Sequence, residues 1–141
     1  MQSIRPLTLT VVTYVAFAGS SCSDAETPCD YCTLEFRTYT LDVVDDASQP
    51  VSDVMITRVN RRTGDTLTPG WLGMLQPGTY LVADDGMLDS FSIDGDTVQV
   101  TGVKDDLTFV QNFVFATDIC HCHVTKVAGP QTVIIGEAPP H

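Results

Sequence analysis

From Thr33 onward the sequence repeats one pattern: short runs rich in Val, Ile, Thr, Phe and Tyr, broken about every 8 to 12 residues by turn-forming residues. No stretch sustains an amphipathic 3.6-residue period, so packed helices are excluded and an antiparallel β-sandwich of about 7–8 strands is the expected fold. The runs read as strands are 34–45, 53–61, 79–84, 89–93, 96–103, 107–116, 119–127 and 131–135. Thr63-Gly64-Asp65, Pro77-Gly78, Asp85-Gly86 and Asp94-Gly95 supply the positive φ of glycine or the fixed φ of proline that tight turns require.

Alternation identifies the face each strand buries. Val54 and Ile56 alternate with Asp53, Met55 and Thr57, and Val98 and Val100 alternate with Thr97, Gln99 and Thr101. Phe109, Phe113 and Phe115 share a face as well. Val110 and Val114 make the other side of that run apolar too, which predicts a central strand covered on both sides.

Length and charge narrow the rest. A chain of 141 residues holds one core rather than two. Seven basic residues against 18 acidic ones give a net charge of −11, which repels phosphate backbones and sets nucleic acid aside as a partner. The acidic residues are spread among turns, as solubility requires, rather than run together.

Ahead of the β-rich part, Arg5 and the amino terminus precede an apolar stretch, Leu7 to Ala18, that is short for a bilayer span. This is the pattern of a signal peptide. Two cleavage sites compete within it. Ala16-Phe17-Ala18 has the small-x-small form of ordinary cleavage and would release a soluble chain starting at Gly19. Gly19-Ser20-Ser21-Cys22 resembles the lipobox of bacterial lipoproteins, with glycine where leucine is usual. Cysteine counting favours the second site, because five cysteines leave one over once four have paired, and an exported domain rarely keeps an idle thiol. Cys22 is the odd one, and a polar, Pro-ended tether follows it.

The expected division is therefore a lipoprotein signal peptide over 1–21, a tether over 22–28, a β-sandwich domain over 29–135 and a Pro-ended tail over 136–141. Resemblance to lipoproteins implies that Cys22 carries several acyl chains, palmitate among them, and so anchors the chain to a membrane. The expected place is the bacterial cell envelope, at the outer membrane, with a secreted or periplasmic protein as the alternative.

Two local patterns carry a second resemblance. One is Val43-Val44-Asp45-Asp46-Ala47-Ser48-Gln49-Pro50-Val51-Ser52-Asp53-Val54; the other is Leu75-Gln76-Pro77-Gly78-Thr79-Tyr80-Leu81. On these, the stretch from about Tyr39 to Ala116 resembles the carboxypeptidase regulatory-like domain, a transthyretin-like β-sandwich found in envelope proteins. The resemblance implies an Ig-like sandwich in which Pro50 enters a strand and Tyr80 turns its ring inward after the Pro77-Gly78 corner. It also implies an accessory, spacer or adhesive role. The chain departs from the family in two ways: Ala47-Ser48 replace the usual glycine of the first turn, and a cysteine-containing strand follows Ala116. The transthyretin-like hydrolases end in a Tyr-Arg-Gly-Ser motif that is missing here, so their activity does not carry over.

Few residues carry distinctive chemistry. Cys29, Cys32, Cys120 and Cys122 stand at the two ends of the domain. In an exported protein they are expected to form two disulfides, with Cys29–Cys122 and Cys32–Cys120 favoured for antiparallel neighbours among three possible connectivities. The alternative is a zinc or copper site made by the four thiolates with His121 or His123. A covalent haem is excluded because Thr33, not histidine, follows Cys32, and no βαβ context supports a thioredoxin-type role.

In a strand, His121 and His123 share the face opposite to the thiols, with no serine or carboxylate near them in sequence. Asp84, Asp85, Asp89, Asp94 and Asp96 lack the spacing of a calcium loop. Trp71 is a possible contact for a protein or glycan partner, or a cap on one end of the sandwich. Arg58, Asn60 and Arg62 form a basic spot on one strand face, read as a solvated hairpin paired with Asp65. No nucleophile elbow, phosphate loop, zinc-protease helix or dinucleotide fingerprint occurs. The expectation is a non-enzymatic, membrane-anchored envelope lipoprotein that needs no cofactor and acts as a binding or structural module.

Overall fold

A computed structural model describes residues 29, 31–70 and 75–137, so the signal segment, Cys22, the tether and Trp71 lie outside the described residues. Within them the order is β1 (Thr38–Val44), β2 (Met55–Asn60), β3 (Thr79–Asp84), a 3-10 helix (Asp85–Ser90), β4 (Asp96–Lys104), β5 (Leu107–Thr117), β6 (Val124–Ala128), β7 (Thr132–Ile134) and the two-residue β8 (Gly136–Glu137).

The strands form two sheets. One has the order β3-β1-β7, with β1 antiparallel to β3 and parallel to β7. The other runs β2-β4-β5-β6, antiparallel throughout, and β8 pairs with the start of β5. Leu41, Val43, Val82 and Val133 of the first sheet join Val98, Val100, Phe113, Phe115 and Val124 of the second in one buried cluster. The protein is thus an all-β sandwich, as the strand-and-turn pattern predicts. Phe115 has Tyr39 and Phe91 on it, each with ring centroids 5.6 Å away, and Phe113 stacks on it at 6.0 Å. Each fully buried ring contributes roughly 1.5–3 kcal/mol of transfer free energy.

Gly64, Gly78 and Gly95 take positive φ of 81°, 82° and 92° at the expected turns. At Gly78 the requirement is double, because Pro50 occupies the space into which any Cβ would point. Pro50 bridges to Val44, and the Val43 N–H donates to the Gly78 carbonyl at 2.7 Å. Two residues later the Tyr80 hydroxyl donates to the Val51 carbonyl at 2.8 Å and accepts from the Val54 N–H at 2.9 Å. The Pro50-Val51 and Pro77-Gly78-Thr79-Tyr80 segments are therefore in direct contact and fix the entry to β2.

Several expectations are corrected. Residues 85–90 are a 3-10 helix, not a turn followed by a strand over 89–93. The cause is Asp84, fully buried, whose carboxylate accepts the Gly86 N–H at 2.9 Å and caps the helix. Residues 118–122 form a turn rather than the first part of a strand, and β6 starts only at Val124. β5 lies inside its sheet between β4 and β6, but its outer side is not covered: Val110 is 53% exposed, as the outer face of a two-layer sandwich allows.

The basic spot also dissolves. Arg62 pairs with the buried Asp96 instead of Asp65, and the Arg58 guanidinium turns in to donate to the Leu81 carbonyl. Burial pushes the Arg58 guanidinium below its ordinary pKa, against the pull of Asp84. At the chain's end, β8 carries the sheet pairing two residues past 135.

Candidate functional site

The strap over 31–37, with Cys29 ahead of it, and the turn after β5 are brought together at one end of the sandwich. The turn is built by Asp118, whose carboxylate accepts the Cys122 N–H at 2.8 Å and the His123 N–H at 3.0 Å. Backbone bonds from His121 N–H to the Asp118 carbonyl and from Asp118 N–H to the His123 carbonyl close it, and His121 adopts a φ of 55°.

The strap is held to this turn by two disulfides, Cys29–Cys120 with Cα atoms 5.0 Å apart and Cys32–Cys122 with Cα atoms 5.4 Å apart. All four expected cysteines are paired, but as Cys29–Cys120 and Cys32–Cys122 rather than in the expected order Cys29–Cys122 and Cys32–Cys120. The expected order belongs to two antiparallel strands. Neither the strap nor the turn is a strand, so strand pairing does not set the order of the cysteines. Two disulfides point to an oxidising compartment outside the cytoplasm. Among the described residues no helix is long and apolar enough to cross a membrane.

The turn also separates the two histidines, which do not share a strand face. His121 is half exposed and lies 3.0 Å from Asp89 and 3.2 Å from the Thr117 hydroxyl. His123 is buried, its side chain 7% exposed. Its Nδ1 lies 2.7 Å from Asp85 Oδ2 and its Nε2 lies 2.7 Å from the Thr33 hydroxyl.

Asp85 is 8% exposed and accepts the Arg37 N–H at 2.9 Å and the Val124 N–H at 2.7 Å besides. Burial alone would raise its carboxyl pKa, but the Arg37 N–H, the His123 ring and the Val124 N–H outweigh it and hold the group below the ordinary value. Asp85 is thus an anion that only accepts. Because Asp85 only accepts, His123 Nδ1 donates to it, and Nε2 is the ring nitrogen that faces the Thr33 hydroxyl.

Thr33 itself is exposed. Glu35, also near the Thr33 hydroxyl, is held below its ordinary pKa chiefly by Arg37, which donates to it through Nε at 2.7 Å. The strap is tied further by the Asp85 N–H donating to the Arg37 carbonyl at 3.1 Å, and the Tyr39 hydroxyl reaches the Val124 carbonyl at 2.9 Å.

The aspartates that lie close together in sequence have separate partners. Asp84 caps the helix and also accepts the Gly70 N–H, Asp85 holds His123, Asp89 faces His121, and Asp96 takes Arg62 and the Ser92 N–H. Among the described residues no group of three or more His, Cys, Asp or Glu side chains is arranged to hold a metal.

At the other end of β1 a shallow depression of about 290 Å³ is lined by Asp42, Val44, Pro50, Gln76, Pro77 and Thr132, among others. Trp71, the expected ligand contact, and Cys22 lie outside the described residues. Sequence reasoning missed Thr33 and Asp85 as partners of His123. They stand 90 and 38 residues from it along the chain, and the one available signal was that Thr33 and His123 each directly follow a cysteine. No protein family, curated protein or solved structure matches this chain.

Proposed function

We propose that the chain is a lipid-anchored envelope protein, held at the outer membrane through Cys22, whose stapled β-sandwich serves as a structural or binding module for a protein or glycan partner. One observation carries the reading. Cys29, Cys32, Cys120 and Cys122 are consumed by one another, so Cys22 has no cysteine left to pair with inside the chain. The strap supports it as well, since a pull arriving through the tether is delivered at once into two covalent bridges. The contact between Pro50 and Gly78 joins the two segments on which the resemblance to the carboxypeptidase regulatory-like domain rests. The zinc or copper alternative loses support, because all four thiols it needs are in disulfides.

The test is the mass of the intact native protein and its partition between membrane and soluble fractions. Wild type is expected in the membrane with acyl mass on Cys22, and Cys22→Ser is expected soluble and unacylated. A native chain that begins at Gly19, or one that carries stoichiometric zinc or copper and free thiols, would overturn the proposal.

A further inference from the structure

Beyond its role as a module, the stapled end of the sandwich holds an arrangement with chemistry of its own. The Thr33 hydroxyl, the His123 imidazole and the Asp85 carboxylate lie in series, with 2.7 Å at each link. A nucleophile within hydrogen-bond reach of a base, and that base oriented by a third group, is the signature of an activated hydroxyl. We propose that Thr33, His123 and Asp85 form an acyl-transfer site acting on small carboxylic esters.

The covalent frame explains how the groups meet. Cys32 immediately precedes Thr33 and Cys122 immediately precedes His123, so the Cys32–Cys122 bridge sets nucleophile beside base although 90 residues separate them. The buried side of the relay is fully satisfied: two backbone N–H groups lock Asp85, and Asp118 fixes the His123 backbone. Only Thr33 faces solvent. An exposed nucleophile suits a small, reactive ester rather than a large one that needs a shaped pocket.

The chemistry balances with ester and water alone. His123 Nε2 takes the proton of the Thr33 hydroxyl as Oγ1 bonds to the ester carbonyl carbon. When the tetrahedral adduct collapses, the C–O bond to the alcohol breaks and the departing oxygen takes the proton from Nε2, leaving an acyl ester on Thr33. Water, deprotonated by the same nitrogen, then attacks that ester, the carboxylic acid leaves, and the proton returns to Thr33. Asp85 is the positioning residue, keeping the ring proton on Nδ1.

The disulfide-intact protein is to be treated with p-nitrophenyl acetate, following nitrophenolate release and mapping the acetyl group by peptide mass. Wild type is expected to release nitrophenolate in a burst that matches acetyl on Thr33. Thr33→Val, a surface change of the same shape, is expected to lose both, and Thr33→Ser to restore them. His123→Gln is expected to slow the burst about 100-fold or more, and reduction of the bridges is expected to abolish labelling of Thr33. A far-downfield imidazole N–H proton signal should be present in wild type and lost in Asp85→Asn. Acetyl found only on Lys104, Lys126 or His121, or wild-type release by Thr33→Val, would overturn the proposal. Unchanged labelling of Thr33 after reduction would overturn the role of the bridge, and persistence of the N–H signal in Asp85→Asn would overturn that of Asp85.

Discussion

Ser48 sits at a φ of 59° in the loop between β1 and β2, a left-handed conformation that suits glycine far better than serine. The loop tolerates it because Asp45 organises the backbone around it. The Asp45 carboxylate accepts the Ala47 N–H at 2.9 Å and the Gln49 N–H at 2.8 Å, while the Ser48 N–H donates to the Asp45 carbonyl at 2.9 Å. None of these bonds uses the Ser48 side chain, so Ser48→Gly keeps them all. Removing a side chain from the left-handed region relieves about 1–2 kcal/mol, and the extra freedom of glycine in the unfolded chain takes back about 0.5–1 kcal/mol. The variant should be about 0.5–1 kcal/mol more stable. Urea unfolding will show this as a higher midpoint at an unchanged slope, and a lower midpoint would mean that the serine side chain supports the loop.

Among elements, the junction of β2 and β4 is held by the Arg62–Asp96 pair, in which the carboxylate is buried and the guanidinium half exposed. The Arg62 hydrogen bond, working against burial and helped by the Ser92 N–H, holds Asp96 below the usual carboxylate range. A depressed carboxyl pKa contributes stability that is present above the unfolded value of about 3.9 and lost as pH falls through the lower folded value. Asp85 is shifted in the same direction, so stability should decline through the acid range below about pH 4. Asp96→Asn should cost about 2 kcal/mol at pH 7 and flatten that acid limb, as read from urea midpoints between neutral and acid pH. An acid limb parallel to the wild type's would mean that Asp96 contributes no proton linkage.

The same junction shows what the sequence made legible. The alternation of Val98 and Val100 with Thr97, Gln99 and Thr101 was decisive, because a period of two has one meaning on a sheet with one dry face. The 3-10 helix and the 118–122 turn were not legible, because each is dictated by one aspartate whose carboxylate faces the backbone, and Asp84 and Asp118 look like any other turn residue in sequence. The relay at His123 was hidden for another reason. It depends on which cysteines join, and that depends on the turn.

For the molecule as a whole, the two bridges close nearly the same loop, with sequence separations of 91 and 90. A loop of that length is worth about 4–5 kcal/mol when the first bridge forms, by restricting the unfolded chain. The second bridge then closes only the small ring between residues 29–32 and 120–122, so it removes much less entropy. The two are therefore strongly non-additive. Removing Cys29–Cys120 alone or Cys32–Cys122 alone, by paired alanine substitution, should cost about 2 kcal/mol, whereas removing both should cost about 6–7 kcal/mol. The difference is a coupling measurable by urea unfolding of the four proteins in one cycle. If the two single removals instead sum to the double, the bridges stabilise the native strap and turn separately, by local strain relief or packing, and loop closure is not what holds this end of the sandwich together.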